Sequence, residues 1–313
     1  MRRALALAAV VVSARQDHLC EEDVCFYHVP KTGGDSFKYL LRDELKRRGR
    51  TFWSNEWCLR RSNGTAAMLF REPRAHVVSQ YFECRDSEWA LGNKAKWERH
   101  GAFPRNSSRR DPYAGFKQWI RHFANNGEDD FGCYDPRDMQ ARYVACTCER
   151  TCAHHLTSPR PTPSRAAAGL AALDVVGLME HFDASACLVM DAAGLDLPEA
   201  CYCDSSSSFT GARYHVAHGV AHHSPRDLDA ATLAAVDAVT TLDRHLYNAA
   251  RRRFDVLRRI PREEIRRRQS IIRKHGHRLQ YAVDDLGEEP DAVETLFVGA
   301  LGLAHDLAAL YQV

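Results

Sequence analysis

The stretch that most constrains the fold is FYHVPKTGGDSFKYLL, residues 26–41. An apolar run ends in a turn with two glycines, and Phe37, Leu40, Leu41 and Leu45 then recur on one face of a helical pattern. The spacing predicts a buried strand over 24–29 and a helix over 36–48. A strand that enters a helix through such a turn aims backbone N–H groups at one point, where the helix N-terminus adds partial positive charge. Gly33 and Gly34 let the backbone come close to an anion without a Cβ in the way. Lys31 adds a full charge on a flexible stem, and Thr32 and Ser36 add hydroxyl donors. Walker A loops place their lysine after the glycines; here Lys31 comes before them.

The same arrangement recurs. AAMLF (66–70) reads as a second apolar strand, and it runs through Arg71-Glu72-Pro73 into an amphipathic stretch ending near Cys84. Pro73 suits a helix start. Arg71 at the strand exit can take a phosphate in a two-pronged grip, and Ser79 two turns on adds a hydroxyl. Two anion-binding loops on neighbouring strands suit a ligand with two separated phosphates. Further helices are predicted at 113–125, 136–145, from 183, and continuously from 228 to 257, with a strand at 174–178. Residues 86–112 read as an irregular polar excursion, 158–165 as a Pro-rich connector and 203–211 as a loop. Strands alternating with helices argue for an α/β sheet covered by helices. After Phe254 an arginine-rich run (251–278), an acidic segment (284–294) and an apolar end predict a helical C-terminal extension over 258–313.

The chain of 313 residues has a formal charge of +2 and gives no polybasic argument for nucleic acid. Residues 1–14, a basic start followed by an apolar run and small residues, read as a signal peptide. That run is shorter than the roughly 20 residues a membrane span takes. Sequons at Asn63 and Asn106 and 11 scattered cysteines fit the secretory route and an oxidised framework. In CTCERTCAHH the alternative use is a zinc site, with Cys146, Cys148, Cys152 and His154 or His155 as ligands.

Taken together, HVPKTGGDSF and LFREPRAHVVSQY resemble the 5′-phosphosulfate and 3′-phosphate motifs of the Golgi-type carbohydrate sulfotransferases. The likeness is strongest to the heparan sulfate O-sulfotransferase branch and its protist members. It continues in DMQARYV (138–144), VVGLMEHFDASACLVM (175–190) and LDRHLYNAARRRF (242–254). The resemblance implies a three-layer P-loop-like α/β fold with a mainly parallel central sheet, forming a sulfotransferase domain over 15–257. It implies 3′-phosphoadenosine-5′-phosphosulfate (PAPS) as co-substrate, no required metal, and a glycan hydroxyl as acceptor, in the Golgi lumen or outside the cell. By motif match Lys31, Thr32, Gly33, Gly34 and Ser36 would hold the 5′-phosphosulfate, and Arg71 and Ser79 the 3′-phosphate.

An acceptor hydroxyl also needs a general base. Relatives place a histidine or glutamate between the two phosphate motifs. Glu56, flanked by aromatics in FWSNEWC, is the candidate here, with His28 in reserve. Asp35 departs from the family pattern, in which this position is often threonine, and a carboxylate beside a bound phosphosulfate would be repelled unless it turns away or orders Ser36 and the helix start. Four histidines in HVAHGVAHHSPRDL (215–228) could close over a nucleotide. The rival readings are a non-catalytic PAPS- or glycan-binding protein on the same fold, and a P-loop kinase. The kinase would need a lysine after the glycines.

Overall fold

In the computed structural model, residues 20–56, 62–87, 113–128, 132–146, 160–201 and 223–257 are described. They form a four-stranded sheet, all parallel, in the order β2-β1-β3-β4: β1 (Val24–Tyr27), β2 (Phe52–Asn55), β3 (Thr65–Phe70) and β4 (Val175–Leu178). β1, β3 and β4 are buried along their whole length, which is why they read as continuous apolar runs. β2, at one edge, is half-buried throughout and was not predicted as a strand.

Eight α-helices among the described residues cover the sheet. They are α1 (Gly34–Arg47), α2 (Pro73–Asp86), α3 (Ala114–Ala124), α4 (Met139–Ala145), α5 (Pro163–Ala171), α6 (Phe182–Ala192), α7 (Ala230–Val239) and α8 (Thr241–Leu257). Strand alternation separates two cores. Val24, Phe26, Ala67, Leu69 and Val175 pack with α1 and α6. Cys25, Tyr27, Ala66, Met68, Phe70, Val176 and Leu178 pack with α2, α3, α4, α5, α7 and α8. The result is a helix–sheet–helix sandwich of three layers.

The strand order creates a switch point. From β1 the chain passes through α1 to β2 on one side, then returns past β1 to β3 on the other. The order reverses between β1 and β3, and in open parallel sheets ligands bind at the strand carboxyl ends beside such a switch point. Both motif loops leave the sheet there.

Three disulfides lie within the described residues, Cys20–Cys25, Cys84–Cys133 and Cys187–Cys201. Cys146 is also disulfide-bonded, which corrects the zinc alternative: its sulfur is not a thiolate ligand. The remaining residues of that alternative, the signal peptide, the 203–211 loop, most of the histidine run and the C-terminal extension lie outside the described residues. Among the described residues no helix is long and apolar enough to cross a membrane. Disulfides of this number fit a secreted or luminal compartment.

Candidate functional site at the sheet switch point

The loop after β1 is built by side chains that hold its carbonyl groups. Val29 O accepts from Thr32 N at 3.3 Å and from Thr32 Oγ1 at 2.9 Å. Pro30 O accepts from His76 Nε2 at 2.8 Å, and Lys31 O accepts from Arg71 Nη1 at 2.9 Å. With three successive carbonyls satisfied within the protein, the loop's acceptors are accounted for. Helix α1 then opens at Gly34, and its N-cap, Gly33, sits in the left-handed region at φ 81 with no side-chain capping bond. A helix start without a side-chain cap keeps its partial positive charge available to an anion.

The glycines have a reason to be glycine besides ligand approach. A Cβ on Gly33 would lie 2.1 Å from Met179 Sδ, and one on Gly34 would lie 1.8 Å from His28 Cδ2. The space a Cβ would need at each glycine is filled by the protein's own side chains, while Gly33 also answers to its positive φ. Thr32 differs from expectation as well. It is fully buried and its hydroxyl donates to Val29, so it serves the loop before any ligand.

Lys31, itself left-handed at φ 67, sends its ammonium to Glu83 Oε2 at 2.6 Å. Arg71 ties the two loops together through its bond to Lys31 O, and its own backbone is gripped by the Gln140 side chain. Arg71 N donates to Gln140 Oε1 at 2.9 Å, and Gln140 Nε2 donates to Arg71 O at 3.0 Å. Next along, Glu72 N donates to Glu180 Oε1 at 2.8 Å. His76 is wholly buried, and loss of hydration holds it down to about 3, so the ring is neutral. Because Nε2 must donate to Pro30 O, Nδ1 accepts from Gln80 Nε2 at 3.2 Å. Ser36 is buried in the first turn of α1 and Ser79 in α2.

Glu56 and His28, the two base candidates, are neighbours: Glu56 Oε1 lies 3.5 Å from His28 Nδ1. Their settings differ. The His28 side chain is 5% exposed and the Glu56 side chain 50%. Burial holds His28 down to about 4, with Lys38 and Lys31 adding to the effect and Asp35 opposing it. The neutral His28 imidazole is buried against Gly34, whereas half of the Glu56 side chain is exposed. Asp35 turns to Lys38 Nζ at 2.5 Å, one helical turn along, so its charge is partnered.

Sequence reasoning missed Glu83, His76, Gln140, Glu180 and Tyr134. Burial, then the charges of Glu56 and Glu83, raise the Tyr134 phenol far above its usual range, which sets it among the site's carboxylates. One signal was there to read. His76, Gln80 and Glu83 recur at helical spacing in a buried stretch whose other residues, Ser79 apart, are apolar, and a polar stripe inside a core needs partners. No family model, curated protein or solved structure matches this chain.

Proposed function

We propose that the chain is a carbohydrate sulfotransferase that moves a sulfuryl group from PAPS to a sugar hydroxyl of a glycan in the secretory pathway. The observation that carries this reading is the bond from Arg71 Nη1 to Lys31 O at the sheet's switch point. It joins the two loops, each with a cation, into one anion-binding edge beside the unclosed start of α1. Such an edge fits a nucleotide with phosphates at two ends.

Sulfuryl transfer asks of the protein what phosphoryl transfer does: alignment, and charge placed where the leaving oxygen gains it. The acceptor oxygen forms its bond to sulfur as the bond from sulfur to the 5′-phosphate oxygen breaks. The electron pair leaves with the phosphate, toward Lys31, and the hydroxyl proton passes to Glu56. His28, neutral and packed on Gly34, steadies Glu56 from behind. Arg71 and Ser79 hold the 3′-phosphate.

The test is transfer of radiolabelled sulfate from PAPS across a panel of glycans without magnesium, with Lys31→Ala and Glu56→Gln alongside. The expectation is transfer to an acceptor in the panel, abolished in Lys31→Ala and reduced about 100-fold or more in Glu56→Gln. Full turnover in Glu56→Gln removes that residue as base. Binding of the desulfated product PAP with no transfer to any glycan favours the non-catalytic reading.

A further inference from the structure

Lys31 and Glu83 make a pairing that sulfuryl transfer does not by itself require. The Glu83 side chain is 1% exposed and the Lys31 side chain 17%. Both ends are fixed. Lys31 has a left-handed backbone and a carbonyl held by Arg71. Glu83 stands on α2 one residue before the Cys84–Cys133 bridge. An ammonium carries three donors and Glu83 occupies one. Breaking a buried ion pair as short as 2.6 Å is strongly disfavoured, so an arriving anion does not draw Lys31 off Glu83. It meets an ammonium anchored at one N–H, with two donors left for it.

We propose that Glu83 is a positioning residue, holding Lys31 at a fixed angle to the bond being broken and offsetting part of the pull that Lys31 exerts on the departing phosphate. The inference rests on the sulfotransferase reading of the site. It predicts opposite effects on binding and on chemistry. Glu83→Gln keeps the size and an acceptor oxygen but removes the charge. Expected are PAP binding tighter by about fivefold and a kcat for sulfate transfer lower by about tenfold, because the lysine is no longer held at its angle. A carboxylate that only supported the fold would weaken both together.

PAP titration calorimetry and steady-state kinetics with PAPS, on wild type and Glu83→Gln, read this split. Unchanged kcat, or parallel loss of binding and turnover, overturns the proposal. A crystal structure of the wild-type PAP complex reads the same point without any substitution. Lys31 Nζ should lie within hydrogen-bond distance of both Glu83 and a ligand phosphate, and a lysine that has left Glu83 overturns the anchoring. Wild-type protein that neither binds PAP nor transfers sulfate overturns the underlying reading and this one with it. Wild-type activity matched by Glu83→Gln overturns the anchoring alone.

Discussion

At the residue scale, Gly34 shows how closely the loop and the base region are interlocked. The volume its Cβ would need is taken by the His28 ring, at 1.8 Å from Cδ2 and 2.2 Å from Nε2, and a ring cannot yield as a flexible chain end does. Gly34→Ala is therefore expected to cost about 2 kcal/mol or more, as overpacking of a closed site does. Removing the ring restores the space, so the double substitution His28→Ala/Gly34→Ala should be more stable than the sum of the single effects. Urea unfolding of the four proteins measures this coupling, and strict additivity would show that the two residues do not share the space. The strand, turn and helix start that carry Lys31 and the glycines were legible because that unit is local and lies within about ten residues. Glu83 and Gln140 were not, since the identity of their partners is set by how α2 and α4 meet the loops.

At the element scale, the start of α4 and the start of α8 close each other. Asp138, just before α4, accepts from Leu242 N at 2.9 Å and Asp243 N at 3.1 Å in α8. Asp243 accepts from Ala141 N at 2.7 Å and Gln140 N at 3.2 Å in α4. The exchange fixes Gln140 and, through it, the backbone of Arg71. It also explains why one helix predicted over 228–257 is two. The apolar period runs on across Thr240, but the new helix start is satisfied by a carboxylate roughly 100 residues away, which no local pattern reveals. α5 was hidden differently: Thr162 and Pro163, read as connector, are its N-cap and first residue. Burial first, then the neighbouring Asp138 charge, raise Asp243 to about 8. An unfolded aspartate loses its proton near pH 4, so the native state binds more protons from there up to about pH 8. Stability falls as pH rises through that window. The buried histidines His28 and His76 act in the opposite direction and only below about pH 6.5, where the unfolded chain takes up protons that the native state refuses. Between pH 6.5 and 8 the aspartate effect stands alone among these groups. Wild-type stability is expected to drop there by about 1 kcal/mol per pH unit, and Asp243→Asn to flatten the slope while losing some stability at every pH. Denaturant unfolding across the window checks it; a variant with the wild-type slope would assign the pH dependence elsewhere.

At the scale of the whole molecule, every strand contributes to one edge. His28 follows β1, Glu56 follows β2, Arg71 follows β3, and Met179 and Glu180 follow β4. The helical layer carrying α2 supplies Glu83, and the segment before α4 supplies Tyr134. Cys84–Cys133 joins those two pieces, with Glu83 one residue before one cysteine and Tyr134 one residue after the other. Tyr134 N also donates to Cys84 Sγ at 3.4 Å. The bridge spans 49 residues of sequence, and chain-entropy reasoning gives about 4 kcal/mol for a loop of that length. Cys187–Cys201 spans 14 and is worth about 3 kcal/mol by the same reasoning, but it staples α6 on the other face of the sheet. The two bridges thus separate stability from site geometry. Removing either pair by Cys→Ala should lower the unfolding midpoint by a comparable amount. Only Cys84→Ala/Cys133→Ala should also lower kcat for sulfate transfer, because it frees the end of α2 that anchors Lys31 through Glu83. Thermal unfolding and steady-state kinetics with PAPS at a temperature where both variants remain folded make the comparison. Equal kcat in the two variants would mean that the α2 bridge supports the fold without shaping the site.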